Sequence, residues 1–91
     1  MTLHKAKKKA KEVAYWLTKQ SLIRPEPGLI PMRWTFHPKT ANAVDIDNLV
    51  ASCKAAADGI AKAWGVDDSM FRPTYELGEV MKDGLVCVEV L

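Results

Sequence analysis

Apolar residues recur at two different spacings along the chain, and the switch between them marks its elements. Leu3, Ala6, Ala10, Val13 and Leu17 repeat every three or four positions with Ala14 beside them, predicting an amphipathic helix over 3–20 with Thr2 as N-cap. Arg24-Pro25-Glu26-Pro27-Gly28 ends it, because two prolines and a glycine cannot continue a helix. Ile30, Met32, Trp34 and Phe36 then alternate with Arg33, Thr35 and His37, the pattern of a half-buried strand in which Pro31 restricts pairing on one side.

A second helix is predicted over 48–64, with Leu49, Cys53, Ala56, Ile60 and Trp64 as its seam, Asp47 as N-cap and Gly65 as the left-handed residue after its end. Beyond the loop Val66-Asp67-Asp68-Ser69, residues 71–81 and 85–91 are expected to pair as a hairpin across Lys82-Asp83-Gly84. The order helix, strand, helix, strand, strand predicts one α+β domain spanning 1–91. Its expected architecture is a small mixed sheet, one strand plus a C-terminal hairpin, packed against two helices. Dimerisation would cover an open sheet edge.

Composition adds limits. Ninety-one residues suffice for one small domain. No apolar run reaches the ~18 residues of a membrane span, and the lysine-rich start lacks the apolar stretch of a signal peptide. Two cysteines are too few for a disulfide scaffold or zinc cluster, so a cytoplasmic setting is expected, with Cys53 and Cys87 as buried or half-buried thiols. Trp34 and Trp64 read as core rather than base-stacking platforms, Trp16 stands off the apolar stripe, and His4 and His37 have no partner spacing that suggests a site.

The net charge of +2 conceals an asymmetry. Residues 1–24 carry seven basic groups against Glu12 alone, whereas residues 45–91 carry nine acidic groups against four basic ones. The lysines at 5, 7, 8, 9 and 11 (Lys5, Lys7, Lys8, Lys9, Lys11) are candidate contacts to DNA phosphates. In an extended segment Asp45 and Asp47 project to the same side, and two such carboxylates suit a hard cation such as Mg²⁺, with Mn²⁺ as a substitute. An aspartate at a helix start is also an ordinary cap. Lys54, seven residues after Asp47, falls on the same helix side and can stabilise charge on a phosphate, pair with Asp58 four residues on, or do both.

Together, Asp45-Ile46-Asp47-Asn48-Leu49, a lysine in the next helix, Asp58-Gly59-Ile60 and Val66-Asp67-Asp68-Ser69 resemble the RusA-like Holliday-junction resolvases of bacteria and their phages. The resemblance covers about residues 28–91 well and the basic first helix more loosely. It implies a dimeric, metal-dependent endonuclease that cuts four-way DNA junctions with paired nicks in a bacterial or phage-infected cytoplasm. It also implies Asp45, Asp47 and Asp68 as catalytic, metal-holding carboxylates and Lys54 as the helix lysine, one turn further from the Asp45/Asp47 pair than the family pattern has it. The chain departs from that pattern by opening at the basic helix, as if amino-terminally shortened, and by carrying Ala41, Asn42, Ala43 and Val44 where arginines are common.

A continuous helix over 48–64 is about 25 Å long, which keeps Asp68 from sharing an ion with Asp45 and Asp47 of its own chain. An antiparallel two-fold dimer would instead join Asp68 of one copy to Asp45 and Asp47 of the other, with the alanines at 51, 55, 61 and 63 allowing close helix approach. The expected function is junction cleavage. The alternatives are a weakly active or inactive dimeric DNA-binding module, and a structural dimer whose aspartates are caps and solvated surface.

Overall fold

The computed structural model describes residues 2–3, 10–41, 45–82 and 84–91. Four strands, β1 (Thr2–Leu3), β2 (Ile30–His37), β3 (Phe71–Leu77) and β4 (Leu85–Val90), form one mixed sheet in the order β1-β4-β2-β3. Three helices, α1 (Ala10–Gln20), α2 (Ile46–Ser52) and α3 (Lys54–Trp64), precede a single 3-10 turn at Asp68–Met70. The chain is α+β, as its apolar spacing predicts.

β2 is the centre of the molecule. Ile30, Met32, Trp34 and Phe36 are all buried, so its alternation is realised residue for residue. They meet Ala14 of α1, Ala56, Ile60 and Ala61 of α3, Phe71 of β3 and Val88 of β4 in one core. β2 and β3 run parallel from Ile30 opposite Phe71 to Phe36 opposite Leu77, joined through α2 and α3. Pro31 supplies no N–H, and the register of β2 with β4 begins one residue later at Met32 opposite Val90.

The expected hairpin is not formed. β3 pairs with β2 alone, and β4 pairs antiparallel with the opposite edge of β2, so β2 separates them. The turn signal itself is realised: the Gly84 N–H donates to the Met81 carbonyl. The connecting segment instead crosses the end of β2, where the Gly78 N–H donates to Phe36 O and the Met81 N–H to Pro38 O. Placing the most apolar strand between two partners buries it, which outweighs the local preference for a hairpin.

The chain also does not open at a helix. Thr2–Leu3 pair antiparallel with β4, Thr2 opposite Cys87 and Leu3 opposite Val86, so Thr2 does not cap a helix beginning at residue 3. The helix is described from Ala10. Lys5, Lys7, Lys8, Lys9 and His4 lie outside the described residues.

α1 crosses α3 closely. A Cβ added at Gly59 would collide with the Lys11 carbonyl oxygen, so only glycine permits this approach. The glycine of the Asp58-Gly59-Ile60 motif therefore has a packing role. Gly65 ends α3 in the left-handed conformation (φ 68°), and the Val66 N–H donates to the Ala61 carbonyl, as expected for a helix stop. Trp64 packs against the core and donates through Nε1 to Ile23 O, whereas Trp16 is mostly exposed.

The long second helix is broken. Ser52 Oγ donates to the Leu49 carbonyl at 2.7 Å, and the Cys53 N–H turns to the Val50 carbonyl three residues back. A serine hydroxyl competing for the carbonyl that would continue the ladder ends α2, and Lys54 begins a new helix.

Candidate functional site

Asp45, not Asp47, caps α2. Its backbone is extended, and its Oδ1 accepts from the N–H groups of Asp47 (3.0 Å) and Asn48 (3.3 Å). Asp47 lies inside the first helical turn, where its charge complements the helix N-terminus. The two carboxylates therefore do not project from one extended segment as expected, although both remain exposed.

At the other end of this motif set, Asp67 caps the 3-10 turn through a 2.8 Å bond from the Ser69 N–H, and that bond lowers its carboxyl pKa. Asp68 faces Lys54. The lysine Nζ lies 3.3 Å from Asp68 Oδ2 and 3.6 Å from Asp58 Oδ1, so the expected Lys54–Asp58 pair is present and Asp68 joins it. The hydrogen bond that Lys54 donates to Asp68 and the charges of both aspartates raise the Lys54 pKa, keeping it an ammonium.

The break at Cys53 removes the premise that α2 and α3 form one rigid rod. Lys54, which holds Asp68, lies seven residues and about 10 Å of helical rise beyond Asp47. The three carboxylates still do not converge: among the described residues, no group of three or more His, Cys, Asp or Glu side chains could hold a metal ion. Exposed carboxylates have the right donor chemistry for Mg²⁺, but one chain does not gather the set. Lys11 is exposed on α1, the one expected DNA-contacting lysine among the described residues.

Beside Lys54 and Asp68 opens a cleft of about 440 Å³ between α2, α3 and β3. Its floor is Trp34, and Phe71, Pro73 and Tyr75 of β3 form one wall. Sequence patterning already held its signal, since Phe71, Pro73, Tyr75 and Leu77 alternate along one side of β3. Only Phe71 of the four is buried; Tyr75 is 38% and Leu77 51% exposed. Cys53 is buried next to the cleft, and loss of solvent pushes its thiol up to about 11, while Cys87 is half-buried.

No family model matches the chain, and no curated protein or solved structure matches it either. No helix among the described residues is long and apolar enough to cross a membrane.

The sheet's other face carries an ion pair that charge counting alone does not reveal. Arg33 and Glu89 stand opposite each other on β2 and β4 and join through two bonds, Nε to Oε1 at 3.1 Å and Nη2 to Oε2 at 3.0 Å.

Proposed function

We propose that the chain is a RusA-like, divalent-metal-dependent endonuclease that acts on four-way DNA junctions as a homodimer. The observation that carries this reading is the pairing of Lys54 with Asp68. Two of the four expected site residues, fourteen positions apart, meet at 3.3 Å beside an open cleft. In this reading the metal site is completed between copies, with Asp45 and Asp47 from one chain and Asp68 from the other around Mg²⁺ or Mn²⁺. The bound ion would supply an activated water and neutralise phosphoryl charge. Lys54 positions Asp68 and adds positive charge where the cleaved phosphate gathers negative charge. The basic segment through Lys11 holds the DNA backbone, making binding strongly salt-dependent.

A second reading is a dimeric DNA-binding module without cleavage, in which Asp45 serves as the cap of α2 and Asp67 as the cap of the 3-10 turn. A synthetic four-way junction separates the two. The nuclease nicks it in Mg²⁺ or Mn²⁺, stops in chelator and is abolished by Asp47→Asn. The binding module retards the junction on a gel and leaves it intact under both conditions.

A further inference from the structure

β3 leaves one edge of the sheet open, since among the described residues it pairs with β2 alone. Its backbone groups divide between its two sides by alternation. The Gly78 N–H donates to Phe36 O at 2.7 Å, so the N–H groups of Arg72, Thr74 and Glu76 turn toward β2. Those of Tyr75 and Leu77 then turn to the open edge. Pro73 has no N–H to offer there, and the Phe71 N–H is already bonded to Asp68 O. The edge therefore presents carbonyls alone in its first half, at Phe71 and Pro73, and N–H groups only in its second, at Tyr75 and Leu77.

Such a strand is complementary to itself when reversed. Two antiparallel copies related by a two-fold axis at Thr74 set Tyr75 opposite the partner's Pro73, and Leu77 opposite the partner's Phe71. Each edge N–H then meets a carbonyl, and each position without one lies opposite a position that has it. The charges select the same register, because Arg72 falls opposite the partner's Glu76. A shift by two residues either way separates these charges, and a shift by four toward Leu77 sets Glu76 against the partner's Glu76. Arg72 gives one Nη to the Ser69 and Phe71 carbonyls and keeps its other donors. Glu76 forms no ion pair among the described residues, Arg33 being held by Glu89. On the helix-bearing face, Tyr75 and Leu77 are exposed in one chain, and the pairing lays them against apolar side chains.

We infer that the β3 edge pairs antiparallel with the β3 edge of a second copy, centred on Thr74, joining two four-stranded sheets into one. The commitment to a second copy rests on the homodimer of the nuclease reading together with this self-complementary register. The pairing also serves that reading. β2 and β3 are parallel, so the chain toward Asp45 leaves β2 at the Leu77 end of the edge. Asp68 precedes the Phe71 end, and reversal of the second strand brings the partner's Asp68 to the Leu77 end.

The test reads association of the full chain by sedimentation, without metal or DNA. The unaltered chain sediments as a dimer. Arg72→Glu and Glu76→Arg each weaken the dimer about tenfold, and the two together restore it, because opposite charges face each other again. Thr74→Cys forms a disulfide-linked dimer under mild oxidation, since its two copies meet on the axis. Arg72→Cys and Glu76→Cys stand four residues along the strand from their own copies and do not cross-link, nor does the unaltered chain. All three positions are exposed, so these variants keep the circular dichroism of the unaltered chain. A monomer at every concentration overturns the inference and leaves the edge to an unrelated extended chain. So does a dimer indifferent to both charge reversals, a double variant no better than the singles, or Thr74→Cys that fails to cross-link. Junction nicking is not read: a dimer held through another surface retires the edge pairing alone, and a β3-linked dimer that never nicks retires the nuclease reading alone.

Discussion

Lys54 Nζ sits 3.3 Å from Asp68 Oδ2 and 3.6 Å from Asp58 Oδ1, placing one ammonium between a helix start and the turn that follows that helix. The lysine side chain is largely exposed, so the pair contributes little to stability. In the proposed nuclease its role is to place charge. Lys54→Met is therefore expected to melt at the temperature of the unaltered chain, while junction nicking falls about a hundredfold. Lys54→Arg should restore part of the rate. Melting by circular dichroism and nicking of a labelled junction check the two halves, and a large fall in melting temperature without loss of nicking would make Lys54 structural.

The contact of α1 with α3 at Gly59 makes a separate claim about stability. A methyl group at this position meets the Lys11 backbone, which cannot move aside without shifting α1. Gly59→Ala should destabilise the fold by about 1–3 kcal/mol despite its gain in helix propensity. Urea unfolding measures this, and a stabilised variant would contradict the packing described here.

Acid acts through two carboxylates. Hydrogen bonding and charge from Arg33 lower the Glu89 pKa from its ordinary 4.5, and backbone bonding lowers that of Asp67 from 3.8. Groups whose pKa is depressed on folding stabilise the native state fully above their unfolded values and lose that contribution as pH falls through the folded ones. The urea midpoint should thus drop as pH falls below about 4.5. Glu89→Gln should have a lower midpoint at neutral pH and a flatter acid decline. An unchanged decline would exclude Glu89 as a source.

Alkali acts in the opposite sense at Cys53. Burial raises its thiol from 9.0 to about 11, so its contribution is complete below 9.0 and is lost as pH rises toward about 11. Native Cys53 should resist a disulfide reagent at pH 8 and react on unfolding. Rapid native modification, located by mass spectrometry, would contradict its burial.

Much of the fold was legible because burial leaves a periodic trace. The alternation from Ile30 to Phe36 predicted the central strand, and Leu49, Cys53, Ala56, Ile60 and Trp64 predicted the face that α2 and α3 turn to the core. Gly65 marked the end of α3. Strand pairing was less legible, because Lys82-Asp83-Gly84 reports a turn but not which strand lies between its ends. Thr2–Leu3 are too short for any periodic signal. The break after Ser52 left only a hydroxyl in a run of helix formers, and its effect depends on whether that hydroxyl bonds backward to Leu49. At the candidate site, spacing identified the Lys54–Asp58 pair, but the approach of Asp68 is a product of the fold. Asp45 and Asp47 exchanged expected roles because either residue satisfies a cap, and only backbone geometry decides.

In the proposed dimer, Asp68 of one copy completes the site begun by Asp45 and Asp47 of another. Mixing equal amounts of inactive Asp47→Asn and Asp68→Asn chains, with subunit exchange, tests it most directly. Each mixed dimer then contains one site with all its carboxylates, and junction nicking should recover to about a quarter of the unaltered rate. A mixture as inactive as either variant alone, with exchange verified, would contradict the shared site.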